Sequence, residues 1–218
     1  MRIFVLGVGA TGSYLVKLLT RQGHHVTCGD RDPERARYFL GAKLPVPVER
    51  VNARDVWNIV KAARGAQLLV NACPPMLNRI VLRAALRLRA HYLDLASHYT
   101  GHPFRAEQVE FASRFEEKRR AAVITAGVAP GLTNLLIAAG ADLLDTVESV
   151  RVRLYESTDT DAPFSQGRRR HPSMKPLHAR VCMWIGASAS AGTSATGNCS
   201  GFLPPSVRSA LSSPRRTK

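Results

Sequence analysis

Not one acidic residue follows Asp161. The 57 residues from Ala162 to Lys218 carry nine Lys or Arg and no counter-charge, while the first 161 residues hold 22 basic and all 16 acidic residues. The body is therefore only mildly basic, at +6. The +15 of the whole chain is mostly a property of its tail, and so is weak support for a nucleic-acid-binding fold. Cysteine is scarce as well. Cys28, Cys73, Cys182 and Cys199 show no C-x-x-C spacing, which speaks against a disulfide framework and for free thiols in a reducing, cytoplasmic setting. His171, His178 and Cys182 lack zinc-like spacing, so no metal site is expected. No apolar run approaches the eighteen or so residues of a membrane span, so no membrane partner is expected. The N-terminus opens straight into a core-like run rather than a secretory signal.

What is present begins at once. Arg2 to Leu6 lead into Gly7-Val8-Gly9-Ala10-Thr11-Gly12, and Tyr14, Leu15, Leu18 and Leu19 then recur at helical spacing. A short apolar run stopped by glycine reads as a strand buried on both faces. The G-x-G-x-x-G thus sits between a strand and a helix, the context that gives this pattern meaning. Gly7 permits the tight reversal, Gly9 lets a pyrophosphate approach bare backbone, and Gly12 lets the helix pack against the sheet. The first turn, Ala10 to Ser13, offers unpaired N–H groups and the positive helix end to that anion. An acid about twenty residues on should meet a ribose hydroxyl, and Asp30 follows the strand-like HHVTCG.

Further along, Asp32 and Pro33 open a helix over RDPERARYFL, LPVPVE reads as a short strand, and Asn52 begins a helical pattern that ends near Gly65. QLLVNAC, HYLDLAS and AAVITAG read as strands. MLNRIVLRAALRLRA, FRAEQVEFASRFEEKRR and TNLLIAAGADLL read as helices. Arg79, Arg83 and Arg87 form a basic stripe that reads as a solvated face. Alternation of strands and helices predicts a parallel, doubly wound α/β sheet. VESVRVRLYES alternates with period two and suggests the start of a second sheet. Asn71 follows a strand's carboxyl end and offers an amide to ribose or carboxamide, or plain turn chemistry. Asp94 lies between Leu93 and Leu95, where a carboxylate needs a partner or a raised pKa. Gly127 to Gly131 precede a helix whose N-terminus would face the same crevice.

FVLGVGATGSYLVKLL, LLVNACPPMLNRIVLRAAL, AHYLDLA and VITAGVAPGLTNLL, taken in this order, resemble the saccharopine dehydrogenase family over roughly residues 1–155. The resemblance implies a Rossmann domain followed by a mixed sheet domain that serves substrate binding and dimer formation. It also implies NAD- or NADP-dependent chemistry at a carbon–nitrogen bond of an amino-acid-like small molecule. By this resemblance Gly7, Gly9, Ala10, Thr11 and Gly12 form the pyrophosphate loop. Asp30 and Arg31 take the adenosine-ribose position. Asn71, Ala72 and Pro74 line the cofactor, and Asp94 lies toward the substrate as the candidate catalytic acid. Asp30 favours NAD, and Arg31 favours NADP through a 2′-phosphate. A nucleotide-binding sensor without chemistry is the alternative.

The expected division is 1–146 for the cofactor domain, 147–164 for an incomplete second sheet domain, and 165–218 for a basic, low-complexity, disordered tail. The abrupt loss of acids there is what a shifted reading frame of a GC-rich gene would produce, so the tail is expected to be unrelated to the parent fold.

Overall fold

The computed structural model describes residues 1–41, 44–98, 106–147, 149–150 and 152. Six strands form one sheet in the order β3-β2-β1-β4-β5-β6, and every neighbouring pair is parallel. The strands are β1 Arg2–Leu6, β2 His25–Asp30, β3 Val48–Arg50, β4 Leu68–Asn71, β5 His91–Asp94 and β6 Ala122–Val123. This is the doubly wound arrangement, in which the chain leaves β1 in one direction and β4 in the other.

Period-two alternation in β1 explains the two layers. Ile3 and Val5 pack with Val16 of α1 (Ala10–Arg21) and Ala36 of α2 (Pro33–Leu40). Phe4 and Leu6 face the other way, toward Ile59 of α3 (Val56–Ala62), Val81, Ala84 and Ala85 of α4 (Asn78–Leu88), and Phe115 of α5 (Ala112–Glu117). Burying a side chain of the Leu or Phe class contributes about 1.5–3 kcal/mol, so β1, hidden on both faces, anchors the whole sheet.

Helix ends follow local chemistry. Asp32 accepts from the Arg35 N–H at 3.1 Å, and Pro33 occupies the first helical position. Asp55 accepts from the Trp57 N–H at 2.8 Å and the Asn58 N–H at 3.3 Å. The helix expected from Asn52 therefore starts later, because Asn52 is held in a turn by accepting from the Arg54 N–H. The expected helix over FRAEQVEFASRFEEKRR is shorter as well: Glu107–Phe111 forms a 3₁₀ turn before the single short helix α5. β6 is only two residues long. It is followed by the turn at Gly127–Gly131 and by α6 (Leu132–Ala141). The alternating strand expected after α6 falls largely outside the described residues, and Val147, Ser149, Val150 and Val152 are in no strand. The expected disordered tail, 165–218, lies wholly outside them.

Candidate dinucleotide site

The glycine turn lies at the carboxyl end of β1, beside the place where the sheet order reverses. Gly7 has φ +90°, and its N–H donates to the Gly29 carbonyl at 2.8 Å. A Cβ on Gly7 would sit 2.9 Å from the Cys73 Sγ, and one on Gly12 would collide with the Gly7 carbonyl oxygen. These two glycines are therefore required by packing. Gly9 differs: a Cβ there would meet nothing within 4 Å. It opens α1 without a side-chain cap, so the first-turn N–H groups have no intrahelical partner, and Thr11 is exposed beside them. Bare backbone, free donors and a positive helix end fit the pyrophosphate of a dinucleotide.

Asp30 ends β2 beside this turn. Its Oδ2 accepts from the Val8 N–H at 2.7 Å, and its Oδ1 accepts from the Asp32 N–H at 3.0 Å. The carboxylate thus braces the glycine turn from the neighbouring strand. Arg31 is exposed beside it. Arg50, which the sequence reading did not single out, pairs opposite Asp30 across β2 and β3, and its Nη1 donates to the Arg31 carbonyl at 3.0 Å. Only the strand register reveals that neighbour.

Asn71 and Asp94 face each other in register at the carboxyl ends of β4 and β5, and both are buried. Their side chains turn inward. Asn71 Nδ2 donates to Asn78 Oδ1 at 2.9 Å and to Tyr92 Oη at 3.1 Å, while its Oδ1 accepts from the Cys73 N–H at 3.1 Å. Asp94 Oδ2 accepts from Tyr92 Oη at 2.9 Å and Gln108 Nε2 at 3.2 Å, and its Oδ1 accepts from the Thr125 N–H at 2.7 Å. Burial pushes the Asp94 carboxyl above the ordinary carboxylate value, against the opposing pull of the Thr125, Gln108 and Tyr92 donors. Burial and the neighbouring Asp94 charge likewise push the Tyr92 phenol up. The Cys73 thiol is pushed to about 12 by burial and by the Asp30 charge, so it stays protonated at neutral pH.

The structure therefore brings Gly7, Gly12 and Ala72 into contact, leaves Gly9, Ala10 and Thr11 at the open edge, and sets Asp30 and Arg31 beside them. Pro74 is exposed and starts the 3₁₀ turn Pro75–Leu77. Asn71 and Asp94 lie behind this edge rather than in it. Tyr92, Asn78, Gln108 and Thr125 complete the buried chain. Tyr92 shares a face with Asp94 by period two, but nothing local in the sequence points Gln108 or Thr125 toward it. Among the described residues no cluster of ligating side chains could hold a metal, and no helix is long and apolar enough to cross a membrane.

A 3-2-1-4-5-6 parallel sheet with a bare glycine turn at its switch point defines a dinucleotide-binding domain of the Rossmann class. Residues 3–129, more than half of the chain, match the family described as the saccharopine dehydrogenase NADP binding domain, and the chain belongs to that family. Its cofactor class is NAD or NADP, and it is a domain of the oxidoreductase type. Among solved structures, saccharopine dehydrogenase (L-Glu forming) from Saccharomyces cerevisiae is 15% identical with a TM-score of 0.57, covering 65% of this chain and 31% of that one. UDP-N-acetylglucosamine 3-dehydrogenase from Acidithiobacillus ferrooxidans is 18% identical (TM-score 0.46; 63% and 41% covered). An NADPH-dependent quinone oxidoreductase from Escherichia coli is 19% identical (TM-score 0.43; 56% and 46% covered). The chain thus spans about a third of the length of the yeast enzyme that it matches.

Proposed function

We propose that residues 1–146 form the cofactor-holding unit of an oxidoreductase that moves hydride at a carbon–nitrogen bond of an amino-acid-derived substrate. The observation that carries this reading is the empty approach to Gly9 at the uncapped start of α1. When bound there, the nicotinamide would supply hydride chemistry. The residues of this chain would do the rest. Gly9, Ala10, Thr11 and Gly12 receive the pyrophosphate on their N–H groups. Asp30 holds the turn in shape through Val8. The guanidiniums of Arg31 and Arg50 flank the ribose end, a pairing that suits a 2′-phosphate and favours NADP over NAD. Asn71 fixes the Cys73 backbone, and through it the Ala72–Pro74 loop that packs on Gly7.

Asp94 acts in this reading as a positioning residue, joining β5, Gln108 and the Thr125 segment at the substrate edge. Its burial favours a second reading, a dinucleotide sensor without turnover, since the carboxyl expected to serve as catalytic acid is buried behind the open edge. Calorimetric titration with NADPH and NADH tests the cofactor assignment; heat from neither removes both readings. Oxidation of NADPH in the presence of paired amino acids and ketoacids separates them. Turnover supports the enzyme, and binding without turnover supports the sensor.

A further inference from the structure

The layer formed by α3, α4 and α5 carries an open groove of about 540 Å3, lined by Arg54, Asp55, Trp57, Arg83, Arg87 and Arg114 among others. None of these residues belongs to the dinucleotide site, which opens at the glycine turn before α1. Arg54 precedes α3, Arg83 and Arg87 lie one turn apart on α4, and Arg114 is on α5; among the described residues none of them is paired with a carboxylate. The contrast is local: Arg79, also on α4, is matched by Glu110 at 2.7 Å. Asp55 caps α3 and offsets one of the four positive charges, so the groove keeps an excess of three. Converging positive charges repel one another, and among the described residues only Arg114 of the four lies over a core ring, 5.7 Å from the Phe111 centroid. Trp57 adds an aromatic surface that folding leaves unburied: it is 66% exposed, with Arg87 stacked 4.8 Å from the ring centroid.

We propose that this groove is a second binding site, for a free nucleoside di- or triphosphate, with its base on Trp57 and its phosphates among the arginines. Guanidinium forks match phosphate oxygens in pairs, which an ammonium group does not do, and all four cations here are arginine. An indole face stacks any base. One exposed ring and one groove of single-ligand size favour a free nucleotide over a strand, since proteins that track single strands place several stacking side chains along a basic path.

The chain has two tryptophans, so a Trp184→Phe background leaves Trp57 as the only indole reporter. ATP is expected to quench it saturably. Arg54→Ala/Arg83→Ala should weaken that binding by roughly ten-fold or more without changing the far-ultraviolet circular dichroism, because neither side chain has a bonded partner to lose. Gly9→Val, which blocks the dinucleotide turn, should leave ATP binding in place. The proposal falls if ATP gives no saturable quench, if the double variant binds equally well, or if Gly9→Val abolishes the signal. It also falls if tripolyphosphate matches ATP, or if a single-stranded oligonucleotide binds tighter than ATP at the same salt concentration.

Discussion

Gly9 and Gly12 are glycines for opposite reasons, and substitution should separate them. A methyl group on Gly12 runs into the Gly7 carbonyl inside a packed turn. Gly12→Ala should therefore cost roughly 1–3 kcal/mol of stability and lower the melting temperature before any ligand is added. A side chain on Gly9 meets empty space. Gly9→Val should melt like the parent yet lose NADPH affinity by roughly ten- to hundred-fold, the loss of one or two charge-assisted hydrogen bonds. Calorimetry and thermal melts on the same two proteins decide the point. Arg50 makes a different contrast. Arg50→Ala should weaken NADPH by roughly ten-fold while leaving NADH unchanged, since only the former carries the phosphate that a guanidinium would grip. Parallel titrations with the two reduced cofactors read this directly. The tight turn at Gly7 and the close packing at Gly12 were legible in the sequence, because the spacing of the glycines between a strand and a helix fixes the turn. Arg50 was not, because its neighbour Asp30 is reached only through the pairing of β2 with β3.

At the scale of elements, the buried chain from Asn71 through Tyr92 to Asp94 ties β4 to β5 and on to the 3₁₀ turn at Gln108 and the segment after β6. Tyr92→Phe would leave Asn71 Nδ2 and Asp94 Oδ2 each short of a partner. Each atom keeps its other partner, Asn78 or Gln108, so the cost is that of two buried hydrogen bonds, about 1–3 kcal/mol, which should appear as a lowered urea midpoint with little change in slope. Acidity supplies a further test. Native Asp94 holds its proton to higher pH than the unfolded chain does. The native state therefore binds more protons in the window above roughly pH 4, and the contribution of this group to stability declines as pH rises through that window. Asp94→Asn should flatten that part of the pH–stability curve, measured as urea midpoints at stepped pH. The strands of this region were legible as apolar runs with period two. The helix expected at residues 104–120 was misjudged because its charges resemble an exposed helical face, whereas Gln108 is drawn into the core by Asp94 and by the Ala96 carbonyl. A long-range partner of that kind leaves no local signature.

For the whole molecule, α6 is the element least explained by the fold around it. Leu135 and Leu136 are 70% and 63% exposed, and Leu143 just beyond is 86% exposed. Apolar surface of this kind promotes self-association. Leu135→Glu/Leu136→Glu should reduce light scattering at high protein concentration and leave the melting temperature unchanged, because neither side chain is in the core. The sequence showed α6 as an apolar helix, and apolar character alone cannot say whether such a helix is covered. One last consequence follows from where β1 lies. The parallel strands all present their carboxyl ends to the ligand edge, and the Met1 carbonyl, bonded to the His25 N–H at 3.0 Å, lies at the opposite rim. An affinity handle or surface linker joined ahead of Met1 would hang from the underside of the sheet, so immobilised protein would present its dinucleotide crevice to the solution.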